Sequence, residues 1–184
     1  AAFGGFNYME FLQNDLVIVN PLKIKRWIID ELEASMVLFL TGASRSSAAI
    51  IDQQKKNTSS GNEKAIDAMH KIKQSAIDMK LALLKGDMKE FARVLGEGWE
   101  NKKKMAAAIT NPVIQRVFDT AIPAGAVAGK VSGAGGGGFV MLMVEPTRKK
   151  EVINALQKLD GFVMPFQFTE GGAHGWKIYE TDKV

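Results

Sequence analysis

Among the 184 residues, the pattern richest in chemistry is a run of glycine. Gly133-Ala134-Gly135-Gly136-Gly137-Gly138 places five glycines in six residues. Glycines lack Cβ and accept positive φ, so successive amide N–H groups can converge on one concavity. Such a nest binds phosphate or another anion. The plain alternative is a tight β-hairpin, which needs one or two glycines rather than five. Two familiar motifs fail on context. The run matches G-x-G-x-x-G, but Phe139 to Val144 is apolar and β-branched and reads as a strand. A dinucleotide fingerprint needs a helix there. Extended through Val140, the run matches the protein-kinase glycine loop, yet the residues after Val140 contain neither D-F-G nor H-R-D.

A second candidate is Arg45. It follows a strand end at Thr41-Gly42 and sits among Ser44, Ser46 and Ser47 in the first turn of an expected helix. A guanidinium at a helix N-terminus suits a sugar phosphate, with Thr41 beside it. The alternative is that Ser44 caps the helix and Arg45 is solvated. His70 reads as a surface or half-buried helix residue and His174 as part of a turn. Neither has metal-ligand spacing. Asp30, Glu31 and Glu33 read as a solvated face. The nine methionines read as core filler.

The elements that must position these residues are strands at both ends and helices between. Phe3 to Phe11 alternates as a strand, Asn14-Asp15 turns, and Leu16 to Leu22 is a second strand, with Pro21 placing it at an edge. Met36 to Leu40 is a third. Ser44 to Lys56 reads as a short helix and Asn57 to Asn62 as a polar loop. From Glu63 an amphipathic helix carries Ala65, Met69, Ile72, Ala76, Met79 and Leu83 on one seam and stops at Gly86. Asp87 caps the next, with Met88, Phe91, Leu95 and Trp99 on its inner face. Asn111-Pro112 opens a helix through Ala121. Strands follow at Ala126 to Val131 and Phe139 to Val144, then a helix from Pro146 to about Leu159. Phe162 to Phe168 and Trp176 to Tyr179 are the last strands. Segregated strands and helices predict an α+β domain with a mainly antiparallel sheet and helices on one face.

Composition narrows the partners. The net charge of +4 and pI near 9.2 fit an anionic ligand. Lys102, Lys103 and Lys104, and Arg148, Lys149 and Lys150, lie in helix-like stretches with acidic neighbours and no interleaved aromatics. They read as solvated faces, which argues against nucleic acid. With no cysteine there is no disulfide, thiolate nucleophile or cysteine-held metal. The apolar runs are too short to cross a bilayer, and a cytoplasmic protein is the expectation.

Gly129-Lys130-Val131-Ser132-Gly133-Ala134-Gly135-Gly136-Gly137-Gly138-Phe139 resembles the third conserved motif of the GHMP kinases, most closely in their heptose 7-phosphate kinase branch. Ala1 to Phe11, and Leu38 to Ala48 with its Thr41-Gly42-x-x-Arg45, resemble two further segments of that branch. Trp99 with Lys102 resembles the helix preceding the glycine motif. The resemblance implies that residues 1–184 form the ferredoxin-like C-terminal domain, without the family's N-terminal ATP-binding domain. The catalytic aspartate is expected upstream of Ala1, so no catalytic residue is assigned. Lys130, Ser132 and Gly133 to Gly138 are implied as the ATP, phosphate or substrate loop, and Thr41 and Arg45 as substrate contacts. ATP and Mg²⁺ are the implied cofactors of a longer parent, and a sugar phosphate the implied partner. An exposed inter-domain face would allow a homo-oligomer. Two functions follow: the C-terminal half of an ATP-dependent kinase acting on a heptose phosphate at its anomeric hydroxyl, or a non-catalytic α+β module that binds a small anion or a partner.

Overall fold

The computed structural model describes residues 2–42 and 47–176. Strands β1 (Asn7–Phe11) and β2 (Val17–Pro21) pair antiparallel as a two-stranded sheet of their own. Asn14 and Asp15 turn the hairpin at positive φ. The chain continues through α1 (Arg26–Ala34), β3 (Met36–Leu40), α2 (Ser47–Ser59), α3 (Glu63–Lys85) and α4 (Met88–Met105). A 3₁₀ turn (Ala107–Ile109) leads to α5 (Pro112–Ala124), then β4 (Ala126–Val131) and β5 (Phe139–Val144). A second 3₁₀ turn (Pro146–Arg148), α6 (Lys149–Leu156) and β6 (Phe162–Met164) complete the described elements.

The larger sheet has the order β4-β5-β3-β6 and every pairing in it is antiparallel. Taken from β3 to β6 the chain runs β-α-β-β-α-β, a ferredoxin-like split. Side chains alternate across a strand, so each inner strand feeds two cores. Val140, Leu142 and Val144 of β5 pack with Ile114, Val117 and Ala121 of α5 and with Val152 and Leu156 of α6. On the opposite face Met143 packs with Ile28 and Leu32 of α1, Ala82 and Leu83 of α3, and Phe91 and Leu95 of α4. Between Ala126 and Ala128 a bulge shifts the register of β4, and the two alanines serve opposite cores. The α+β antiparallel class is as expected, with one correction. The helices α5 and α6 that precede β4 and β6 do share one face, but α1, α3 and α4 cover the other.

Several boundaries move for local reasons. Strand β1 starts late because Gly4 and Gly5 sit at positive φ. Helix α2 runs on through the expected polar loop to Ser59: Thr58 Oγ1 and Ser59 Oγ donate back to carbonyls of their own helix, and Asn57 Nδ2 donates to Met105 O at 2.7 Å. Strand β6 stops at Met164 because Pro165 has no N–H to give the ladder. Trp176 is exposed and irregular, and the rest of the expected last strand lies outside the described residues. The seam on α3 is rotated: Ala65, Ala68, Ala82 and Leu83 are buried and Met69 faces out. Small residues let α3 lie close against α4. His70 is exposed as expected, whereas Glu33 is a correction to the solvated face. Glu33 is half-buried, and its Oε1 accepts from Phe168 N at 2.8 Å.

Candidate functional site

The glycine loop joins β4 to β5 at one end of the larger sheet, where β3 also ends. It is tied down from three sides. From β3, Thr41 donates to Gly138 O through both its N–H and its hydroxyl, each at 3.0 Å. From the connection between α4 and α5, Ile109 O accepts from Gly136 N at 2.8 Å and Asn111 Nδ2 donates to Gly136 O at 2.9 Å. From α4, Lys102 Nζ donates to Gly133 O.

Asn111 serves two structures with one amide. Its Oδ1 accepts from Ile114 N at 3.0 Å, capping α5, while its Nδ2 holds the loop. Pro112 follows at the first helical position, where its missing N–H costs nothing. Close approach explains the glycine at 135, where a Cβ would stand 2.8 Å from Ile109 O.

The result is a hollow of about 230 Å³ lined by Ser132, Gly133, Ala134, Gly135, Gly137, Gly138 and Phe139, with Ser47 of α2 opposite. Gly133, Gly135, Gly137 and Gly138 all have positive φ. Among the described residues the amides of Gly133, Ala134, Gly137 and Gly138 donate to no protein acceptor. Unpaired N–H groups beside a concavity are what an anion satisfies. Among the described residues no carboxylate or imidazole lines the hollow. No group of three or more His, Cys, Asp or Glu among the described residues could hold a metal ion. The described lining of the hollow suits phosphate oxygens and offers no carboxylate set that fits a Mg²⁺ ion.

The expected site residues divide accordingly. Ser132 and five of the loop residues line the hollow, but Gly136 does not, because its amide points to Ile109. Thr41 is buried and braces the loop from beneath. Lys130 faces away from the hollow into a cavity it shares with Lys102. Arg45 lies outside the described residues. Of the three lysines expected on a solvated face, Lys103 pairs with Glu100 at 2.7 Å and Lys104 bonds Asn101 at 2.9 Å, but Lys102 turns inward. Burial, with the charge of Lys130 added, pushes Lys102 down to about 8, and burial lowers Lys130 as well. Sequence reasoning from residue types passed over Ile109 and the second role of Asn111. For Lys102 a signal existed: three residues from buried Trp99, it falls on the same helix face.

No helix among the described residues is long and apolar enough to cross a membrane. Residues 79–160 match the family model described as GHMP kinases C terminal. The chain is 48% identical over 178 residues to D-glycero-alpha-D-manno-heptose 7-phosphate kinase of Campylobacter jejuni, covering 97% of this chain and 52% of that protein. The crystal structure of a D-glycero-D-manno-heptose 1-phosphate kinase from Bacteroides thetaiotaomicron superposes with a TM-score of 0.70 at 62% identity, over 97% of this chain and 47% of that one. Leishmania major mevalonate kinase shares the fold at 16% identity, with a TM-score of 0.71 over 93% of this chain and 51% of that one. The chain spans about half the length of these relatives.

Proposed function

We infer that this chain, which carries the C-terminal domain of the GHMP kinases, works as the C-terminal half of an ATP-dependent kinase acting on a heptose phosphate. The observation that carries the reading is the braced glycine hollow, with its free amides, in a chain 48% identical to a heptose 7-phosphate kinase over nearly its whole length. Phosphoryl transfer needs positioning and stabilisation of charge on equatorial oxygens more than covalent chemistry. Loop amides fixed by Asn111, Ile109 and Thr41 suit that task, since a preorganised donor needs no reorganisation when charge develops. Ser132 adds a hydroxyl at the rim. The bound triphosphate supplies the transferred group, and Mg²⁺, where required, comes with it. The described lining of the hollow has no acid or imidazole to take the proton from the sugar hydroxyl.

The anomeric hydroxyl is the proposed acceptor. The names of the two relatives point to opposite ends of the sugar, so the assay offers both heptose 7-phosphate and heptose 1-phosphate with ATP. Full-length protein bearing this chain should form a 1,7-bisphosphate from the 7-phosphate. Folded protein with no turnover on either heptose phosphate would overturn the reading. A non-catalytic anion-binding module would share the hollow but leaves the likeness to a kinase along the chain without a reason.

A further inference from the structure

We propose that Lys102 and Lys130 form a second anion site beside the glycine hollow, which takes the phosphate monoester that the sugar already carries. The identity of that ligand rests on the sugar-kinase reading; the site itself rests on geometry. Lys102 comes from the last turns of α4, and Lys130 from the end of β4 just ahead of the loop. Both line one cavity of about 300 Å³ bounded by α2, α3, α4 and β4, with Met79 and Trp99 as apolar wall and Gln54 and Ser75 as its neutral polar groups. Among the described residues no carboxylate lines it.

Among the described residues the ammonium group of Lys130 has no hydrogen bond or ion pair, and that of Lys102 donates only to the carbonyl of Gly133. Two half-buried ammonium groups with no counter-charge among the described residues oppose folding, and a purely structural site would place a carboxylate or an apolar side chain there. The neighbouring lysines make the contrast, since Lys103 and Lys104 both find partners on their own helix. A phosphate monoester brings up to two negative charges and three acceptor oxygens, enough to satisfy both ammonium groups. The depressed titration of both lysines fits an unfilled cation pair. Because Lys102 also holds Gly133, the two anion sites meet at the first residue of the loop. That proximity is what a kinase needs when its acceptor is itself phosphorylated.

The test measures binding to this chain by calorimetry. The probes are glucose 6-phosphate as a sugar phosphate monoester, glucose as its uncharged control, and a non-hydrolysable ATP analogue. Glucose 6-phosphate should bind and glucose should not. Lys130→Met should weaken glucose 6-phosphate by about tenfold or more while leaving the ATP analogue unchanged. Lys102→Met should weaken it too, but Lys130→Met decides the matter because it removes no hydrogen bond. No binding of glucose 6-phosphate by the unaltered chain would overturn the proposal. So would equal binding by Lys130→Met, or a loss confined to the ATP analogue, which would give the lysines to the nucleotide. Should Lys130→Met fail to fold, lysine NMR on the unaltered chain decides: glucose 6-phosphate must raise the titration of Lys102 above about 8, and an unmoved titration overturns the site. Full-length protein inactive on heptose phosphates, in a chain that still binds glucose 6-phosphate through these lysines, would sink the kinase reading and leave the site standing.

Discussion

Gly136 and Ser132 sit four residues apart in one loop and should fail in different ways. Gly136 is buried, at φ +75°, with its amide on Ile109 O. An L side chain in that left-handed region costs about 1–2 kcal/mol. For a chain this long each kcal/mol lowers the melting midpoint by about 2–4 °C. Gly136→Ala should therefore melt several degrees lower. Ser132 is exposed at the rim of the hollow, so Ser132→Ala should melt normally and bind an ATP analogue severalfold more weakly. Calorimetry on both variants checks this; an unweakened Ser132→Ala would remove that hydroxyl from the site. Lys102 makes a prediction about pH. Its folded-state value of about 8 lies below the ordinary 10.5, so between those values the unfolded chain holds a proton that the folded chain has released. Stability from this group therefore rises as pH increases through that window. Lys130, depressed by burial, adds in the same direction, and Gln54 and Ser75 facing them do not titrate there. The melting midpoint should climb relative to Lys102→Met between pH 8 and 10. Parallel curves for the two proteins would refute the assignment.

Elements show what the sequence could and could not disclose. Strands β3 and β5 were legible to the residue because each is an uninterrupted apolar run ended by a polar residue with glycine or proline beside it, and β4, though broken by Gly129 and Lys130, because it lies between Gly125 and the Ser132-Gly133 turn. Helices α3, α4 and α5 were legible at their starts because Asn62, Asp87 and Asn111 each accept from the amide three residues on. What stayed hidden was any bond closed across space. The Lys102–Gly133, Asn111–Gly136 and Thr41–Gly138 contacts join residues 31, 25 and 97 positions apart, and no local periodicity records them. The loop's composition led to the expectation of an anion nest, but which amides remain free depends on those three braces. Asn111 tests the point at the level of α5. Asn111→Ala removes both bonds, and loss of an N-cap alone costs about 1 kcal/mol. Asn111→Asp keeps the acceptor that caps the helix but turns a carboxylate oxygen toward Gly136 O. Hydrogen exchange should show Gly136 N–H exposed in both variants, with Ile114 N–H still protected only in Asn111→Asp. Protection of Gly136 in Asn111→Asp would mean the loop does not depend on this side chain.

At the scale of the whole molecule, the described residues are not evenly covered. The larger sheet has helices on both faces, while the β1–β2 hairpin stands apart as a two-stranded sheet. Its inner face is anchored: Lys80 Nζ lies 3.9 Å from the ring centre of Tyr8, and Phe6 packs on Phe168 with centroids 4.8 Å apart. Alternation sends Met9 and Phe11 to the other side, and the register sets Phe11 opposite Val17 there. All three are exposed, Phe11 at 76%. Two strands with unpaired edges and an apolar outer face are a template for another chain. In relatives about twice as long, further chain is available to lie on such a face; in this chain alone a second copy is the nearest partner. The expected outcome is concentration-dependent association, with a dimer or larger species in light scattering. Phe11→Lys places a charge in the middle of the patch and should restore the monomer without lowering the melting midpoint, because Phe11 contributes little to either core. The contrast with Phe39, fully buried in the first core, shows why the fold should tolerate the change. A monomer at all concentrations in the unaltered chain would refute the prediction. Association that persists in Phe11→Lys would move the contact to another surface, with the exposed Phe162 of β6 the next to test.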